Sequence, residues 1–361
     1  MISNPLGIPL PYVVRISLFA VGFYAIISML YTAQDMLLPI IYAGVTSILI
    51  SPAVDFMERK GINRIVAIFI VLLFVVAIVV GVIALISWQM SALSDAWPEL
   101  KARSSQIVND SVRWLSHNLN ISTYKVNKWI SNTSTELAHD NRAMIGHTLT
   151  SVSEAVATIF LTPVYIFLMV LYKPHLLQFA HRLSGKSNDE RTRSILNETR
   201  VVVRSYLVGL SIEMLILAVL NIAGLLLLGI KYAILLGIIG ALLNIIPYIG
   251  GLVAVLLFMV VALITGTPLD VLYVFLLFIS LQFIDNNFIV PKIVGSKVKL
   301  NPLASVLAVI AGAELWGIPG MFLSIPLLAI VKLVFDRISP LEHWGFLLGD
   351  PIAPLLLKKK S

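Results

Sequence analysis

A chain of 361 residues with 58% hydrophobic and 12% charged positions carries about half the roughly 25% charge of a soluble domain, which excludes an ordinary water-soluble fold. Its net charge of +7 does not point to nucleic acid, because the basic residues are spread among loops instead of gathered in one stripe. The absence of cysteine excludes disulfides, thiolate nucleophiles and thiolate metal sites.

In lipid every backbone group needs an internal partner, so a spanning chain is a helix bundle or a closed barrel. Continuous apolar runs such as 65–86 and 271–284, without strict alternation, select helices. The fold class is therefore an all-α integral membrane protein, a polytopic helix bundle. The first ten residues lack Lys and Arg and no small-residue cleavage site follows, so the first apolar stretch reads as a retained helix and the mature chain is expected to begin near Met1. Spans are expected at 12–30, 36–51, 65–87, 151–172, 205–229 and 269–290. Arg59, Lys60 and Arg64 fall in 51–64, and Lys173, Arg182, Lys186, Arg191, Arg193, Arg200 and Arg204 in 173–204, whereas the turn from Tyr31 to Asp35 has no basic residue. Short cytoplasmic loops retain Lys and Arg, so both chain ends are expected inside.

This places 88–150 outside as one small helical domain. Leu93, Trp97, Leu100 and Ile107 stand at helical spacing and predict amphipathic helices resting on the membrane or on each other. Trp88, Trp97, Trp114 and Trp129 read as interfacial anchors or small-core packing, with a ligand-collecting vestibule as the alternative. The organisation is then 1–87, first helices; 88–150, extracytoplasmic domain; 151–204, a span and a basic cytoplasmic loop; 205–336, transport core; and 337–361, cytoplasmic tail.

Two stretches, 231–266 and 301–334, are too long for one crossing, and each breaks in its middle: at Pro247-Tyr248-Ile249-Gly250-Gly251 and at Gly317-Ile318-Pro319-Gly320. Halves of about 15 residues reach about 23 Å at 1.5 Å per residue, short of a roughly 30 Å hydrocarbon core. They predict hairpins of half-helices, the first opening outside and the second inside, with breaks meeting near the midplane. A span followed by a hairpin would then occur twice in opposite orientation, as an inverted repeat of the kind found in secondary transporters. Short tilted helices joined by tight turns are the alternative.

Catalytic motifs are missing: there is no His-Glu-x-x-His and no Gly-x-Ser-x-Gly. Gly185-Lys186-Ser187 ends like a phosphate loop, but Ala180 stands where the earlier Gly is required. His139, Asp140 and His147 lack one-helix metal spacing, and a solvated face is expected there. Asn120-Ile121-Ser122 and Asn132-Thr133-Ser134 match a glycosylation pattern too common to weigh. No metal or other cofactor is expected.

Polar residues at membrane depth carry more. A central carboxylate costs about 2.5–3.5 kcal/mol on insertion scales, so Glu213, Asp285 and Glu314 call for a compensating role. Glu213 reads equally as a site residue and as a partner for a bundle Lys or Arg. Asp285 opens Asp285-Asn286-Asn287, about one and a half turns before Pro291, and is either a solvated residue near the cytoplasmic interface or part of a polar site. Glu314 precedes the second break by three residues and Asn244 precedes Pro247 by three. Half-helix ends expose backbone groups able to coordinate substrate or ion, with helix-end capping as the plainer role.

The run Leu243-Asn244-Ile245-Ile246-Pro247-Tyr248-Ile249-Gly250-Gly251, then Asp285-Asn286-Asn287 with Pro291-Lys292 and Gly295, then Asn301-Pro302-Leu303, then Gly317 to Gly320 and Pro326, resembles the autoinducer-2 exporter-like family, once an uncharacterised permease family. The resemblance covers most of the chain and is strongest over 200–335. It implies a bacterial cytoplasmic (inner) membrane location, homo-oligomers with a pentamer among the forms open, and export of a small polar solute; some relatives are associated with sodium/proton exchange. Gly251 departs from a second Pro common in the motif, and Leu210 stands where a Gln is often found.

The leading expectation is a secondary transporter exporting a small polar solute of the autoinducer-2 type, with membrane lipid, the solute and sodium or proton as partners. Cation/proton exchange with Asp285, Glu213 or Glu314 as titrating group is the alternative within transport. An intramembrane enzyme is disfavoured because no His lies in the predicted spans, and a scaffold because broken backbone at depth lines cavities. Topology has a direct check: His117→Cys is expected to react with an impermeant thiol reagent only from the extracytoplasmic side, and labelling only from the cytoplasm would overturn the arrangement.

Overall fold

The computed structural model describes residues 11–95, 97–119, 160–183, 189–247, 249–293 and 300–350. The chain is built from helices α1 (Tyr12–Thr32), α2 (Gln34–Arg59), α3 (Arg64–Asp95), α4 (Trp97–Leu119), α5 (Phe160–Leu171), α6 (Lys173–Leu183), α7 (Asp189–Leu227), α8 (Ala233–Leu243), α9 (Ile249–Thr265), α10 (Pro268–Ile284), α11 (Val290–Ile293), α12 (Pro302–Arg337) and α13 (Glu342–Leu348). Among the described residues, six helices are long and apolar enough to cross a membrane: α1, α2, α3, α7, α10 with its continuation to Ile293, and α12. Large apolar side chains cover their outer faces, and α1 buries no residue at all. Lipid is the solvent that such a surface requires. The protein is a multi-pass, all-α membrane protein.

Three helices run further than their apolar cores. α2 continues through Pro39 and Pro52 to Arg59. α3 runs past 87 to Asp95, so Leu93 belongs to α3, while Trp97, Leu100 and Ile107 belong to the amphipathic α4. Pro98 sits in the first turn of α4, where its missing N–H costs nothing. α7 begins at Asp189, so the basic stretch expected as a loop is helical over 173–183 and again from 189 onward. Charged residues with long straight side chains are good helix formers and do not end a helix by themselves. Only 160–171 of the fourth expected span is described, and α6 leaves it at 69°. The tail also differs from a simple extension: α13 packs against the end of α12, and Asn301 N donates to Leu348 O at 2.9 Å.

Both expected breaks are present. α8 and α9 flank the first, and at 11 and 17 residues they reach about 17 and 26 Å, each short of the roughly 30 Å core. Gly250 lies against the Leu243 carbonyl, so any side chain there would overlap backbone. α12 is broken at Trp316 (φ −138°, ψ 16°) and Gly317 (φ 62°, ψ −141°). The positive φ is one that glycine adopts without a Cβ penalty. Gly312 and Gly320 then meet backbone to backbone, although residues eight apart on a straight helix stand about 12 Å from each other. α12 therefore doubles back, with arms 302–315 and 318–337, of which the first, at about 21 Å, is too short to cross alone. The second arm exceeds the expected 15 residues because it continues into a polar end where Lys332 pairs with Asp336 and Arg337 with Glu198.

Contacts fix which end each hairpin opens on. α3 runs 32 residues from Arg64, about 48 Å, and delivers α4 to the opposite end, where Arg103 donates to Gly266 O at 2.8 Å beside the end of α9. The first hairpin opens on that end. Leu300 bridges Gly349, and Arg337 reaches Glu198 near the Asp55–Arg200 pair, so the second hairpin opens on the other. One core cluster joins α2, α7 and α12 through Val45, Val203, Leu207, Trp316 and Leu323, with Ile246 packed against it; both breaks thus border the same core.

The close crossing of the α12 arms predicts a sharp contrast between two glycines. Gly320→Ala is expected to lose about 1–3 kcal/mol to overpacking, whereas Gly22→Ala on exposed α1, with nothing within 4 Å, should be neutral or stabilise by up to about 1 kcal/mol. Unfolding curves in detergent check this, and equal behaviour would contradict the doubled-back arm.

Candidate functional site

α7 presents one buried face over Tyr206, Glu213, Leu217 and Asn221. Steps of seven, four and four residues keep these side chains on one stripe. Glu213 is 6% exposed there, and Asn244, the first residue after α8, donates from Nδ2 to Glu213 Oε1 at 3.2 Å. Asn244 keeps helical φ/ψ (−63°, −13°) and its N–H bonds Gly240 O, so α8, packed against α7, carries this side chain to Glu213 just before the break.

The third member comes from the end of α10. Pro291 has no N–H, so the helical ladder cannot continue regularly through 287. Residues Asp285–Ile289 form a π-helical turn in which Val290 N–H donates to Asp285 O. Such turns shift the side-chain register and recur at functional sites. Asp285 is turned inward, 2% exposed, whereas Asn286 and Asn287 are exposed. The Asp285 carboxylate faces Asn244 and acts electrostatically on Glu213, and its Oδ1 has no hydrogen-bond partner among the described residues. Of the two roles open to Asp285, the solvated interfacial one is ruled out by its burial.

Glu213, Asn244 and Asp285 thus converge from α7, the first break and the π-turn. Among the described residues no Lys or Arg pairs with either carboxylate. Two enclosed carboxylates without a basic partner require a proton or a cation to make up the charge.

The other expected residues divide around this cluster. Gly251 and Asn244 line a narrow pocket with Asn221 and Gln282, and Gln282 donates to Asn286 Oδ1 at 3.3 Å. Asn287 Nδ2 donates to Phe283 O at 2.8 Å. Glu314 is exposed on the first arm of α12 and makes no polar contact with the cluster among the described residues. Pro247 lies in the first break and Gly250 against Leu243; Gly317 forms the second break, Pro319 follows it, and Gly320 meets Gly312. Pro302 is the first residue of α12 after Asn301, whose side chain accepts from Leu303 N, and Pro326 is buried in the second arm. Tyr248, Gly295, the 185–187 motif, and His139, Asp140 and His147 lie outside the described residues, among which no cluster of three or more His, Cys, Asp or Glu is suited to a metal. Asn221 and Gln282 were missed in the sequence reading. Asn221 stands eight residues after Glu213, and that spacing on an apolar helix was the available signal.

A second pocket with about 680 Å³ of open space lies between α2, α7 and both hairpins. Ile245 beside the first break and Phe322 in the second hairpin border it, and Tyr42, Thr46 and Ser211 supply hydroxyls; no charged side chain lines it. Leu210 is one of its walls.

Crossing helices, two interrupted hairpins and an enclosed carboxylate pair define a multi-pass helical membrane protein with a polar site at its broken backbone. The family model described as AI-2E family transporter matches residues 14–339, and the chain belongs to that family. It is similar to AI-2 transport protein TqsA of Escherichia coli, 25% identical over 328 residues that cover 88% of this chain and 90% of that protein. It is also similar to YueF of Bacillus subtilis, which carries a provisional name as a transport protein, at 23% over 314 residues (84% and 85%). YrrI of the same organism, named in the same way, is 31% identical over 172 residues (48% and 48%).

The shared amide generates a measurable coupling. Asn244→Ala is expected to lower the unfolding free energy by about 1–3 kcal/mol, the cost of leaving buried polar groups unsatisfied. In a double-mutant cycle with Glu213→Gln the coupling is expected at about 0.5–3 kcal/mol. Strict additivity would show that the two side chains act apart.

Proposed function

We propose that this protein is a secondary transporter that exports a small polar solute across the bacterial inner membrane and couples that movement to sodium or proton at Glu213, Asn244 and Asp285. The observation that carries the reading is the pair of enclosed carboxylates at a helix break with no basic partner. A charge held at such cost needs a cycle that uses it. The uncharged pocket beside the site, with three hydroxyls and apolar walls, suits a neutral hydroxylated solute. The name of the relative TqsA makes an AI-2-type molecule the first solute to test. The two hairpins that open on opposite ends support an inverted repeat as the moving architecture, in which one unit rocks against the other around the site. Homo-oligomerisation belongs to the same reading, with exposed apolar helix faces for contact between copies.

Cation/proton antiport without an organic solute is the second reading. It is favoured by the donor set itself, two carboxylates and an amide oxygen, which are the hard oxygen ligands that a small hard cation takes.

Proteoliposomes with imposed sodium or proton gradients decide between them. Gradient-driven movement of the labelled solute is expected with the natural chain, and Asp285→Asn, which cannot titrate, is expected to insert normally yet abolish that movement or remove its pH dependence. An unchanged rate-against-pH profile would move the coupling role away from Asp285. Proton release on sodium addition, with no solute moved, would select antiport.

A further inference from the structure

Outside the transport site, a second polar pocket with about 920 Å³ of open space lies between α2 and α7 at the end that carries the ion pairs. Asp55, Phe56 and Arg59 line it from α2, and Asn197, Arg200, Val201 and Arg204 from α7. On each helix these positions fall three, four and seven residues apart when Pro52 is included, so each contributes one face. Three arginines meet a single aspartate. That aspartate is already engaged, by Lys173 at 3.3 Å and Arg200 at 3.4 Å. Arg59 and Arg204 are exposed and form no ion pair among the described residues, and Lys60 stands over the Phe56 ring at 4.6 Å, adding a further positive charge.

Location narrows the ligand. The pocket sits just beyond the apolar part of α2, which ends near 51, and just before the apolar part of α7, which begins near 205. This is headgroup depth. Phe56 and Val201 are 58% and 49% exposed beside the arginines, a pairing of apolar wall and guanidinium that a free anion has no use for. Guanidinium groups match phosphate oxygens in geometry and charge, and basic pockets between helices at this depth hold anionic headgroups.

We propose that this pocket binds the headgroup phosphate of an anionic phospholipid, with Arg59 and Arg204 as phosphate donors and Phe56 and Val201 against the lipid's apolar part. Arg200 stays with Asp55 and positions α7 against α2. The site is independent of the transport reading, since it uses none of Glu213, Asn244 or Asp285.

Native mass spectrometry of the full chain in neutral detergent, titrated with phosphatidylglycerol or phosphatidylcholine, tests it. Phosphatidylglycerol is expected to be retained over phosphatidylcholine, and the double variant Arg59→Gln, Arg204→Gln to weaken its binding about 30-fold without changing phosphatidylcholine retention. Where the double variant does not fold, Arg59→Gln alone is expected to lose about fivefold. Equal retention of the two lipids, or unchanged phosphatidylglycerol binding in a folded variant, would overturn the proposal. Displacement of phosphatidylglycerol by inorganic phosphate would overturn it as well, by assigning the pocket to a soluble anion.

Discussion

A backbone interrupted inside a membrane has to find its hydrogen bonds within the protein, because lipid offers none. Both interruptions here meet that constraint. In the first, Asn244 N, Ile245 N and Ile246 N donate back to Gly240, Leu242 and Leu243, and Gly250 N reaches Ile246 O, so the turn closes on itself. In the second, other helices help: Trp316 Nε1 donates to Leu30 O at 3.1 Å, and the Tyr42 hydroxyl to Pro319 O at 3.4 Å. Leu30 lies in the last turn of α1, where helix carbonyls lack intrahelical partners. One contact therefore satisfies a helix end and seats the break of the second hairpin.

α7 ties these features together. Its polar extension carries Glu198 against Arg337 and Arg200 against Asp55, and its apolar part carries Glu213 into the bundle. Part-exposed ion pairs are worth about 0–1 kcal/mol each, too little to hold a fold. Their effect is on register: they join α2, α6 and the end of α12 to one turn of α7. The tight seams come from small residues, as where Gly237 lies against the Ile222 backbone of α7. A break seated against α7 at one depth and ion pairs fixed at another define how the first hairpin and the second meet the same helix.

Chain length against bilayer thickness made five of the six expected spans and both breaks legible, since neither 231–266 nor 301–334 fits a single crossing. Side-chain direction was less so. Asn244 and Glu314 stand at equal distances before their breaks, yet Asn244 joins Glu213 while Glu314 is exposed. Spacing along the chain is local, whereas the face a half-helix turns inward follows from what it packs against. The extension of α7 into the basic stretch was hidden for a related reason: charge marks the water side of a helix but not its end. The convergence of Glu213 and Asp285 is purely tertiary, because no periodicity links residues on α7 to residues after α10.

The depth of Asp285 shows how local chemistry decides such a site. Counted as a regular helix, α10 carries Val274 and Leu281 on its buried face, and Asp285, four residues after Leu281, continues that stripe. The proline withholds one donor, and the ladder adapts by a wider turn in which Val290 pairs with Asp285 O. On that stripe Asp285 faces inward while Asn286 and Asn287 stay at the surface, Asn287 tied to Phe283 O and Asn286 to Gln282. The apolar stripe of α10 thus brings a carboxylate inward just where the helix gives way to the wider turn, and α8 ends on the Asn244 that donates to Glu213, so the site stands where two helices cease to be regular.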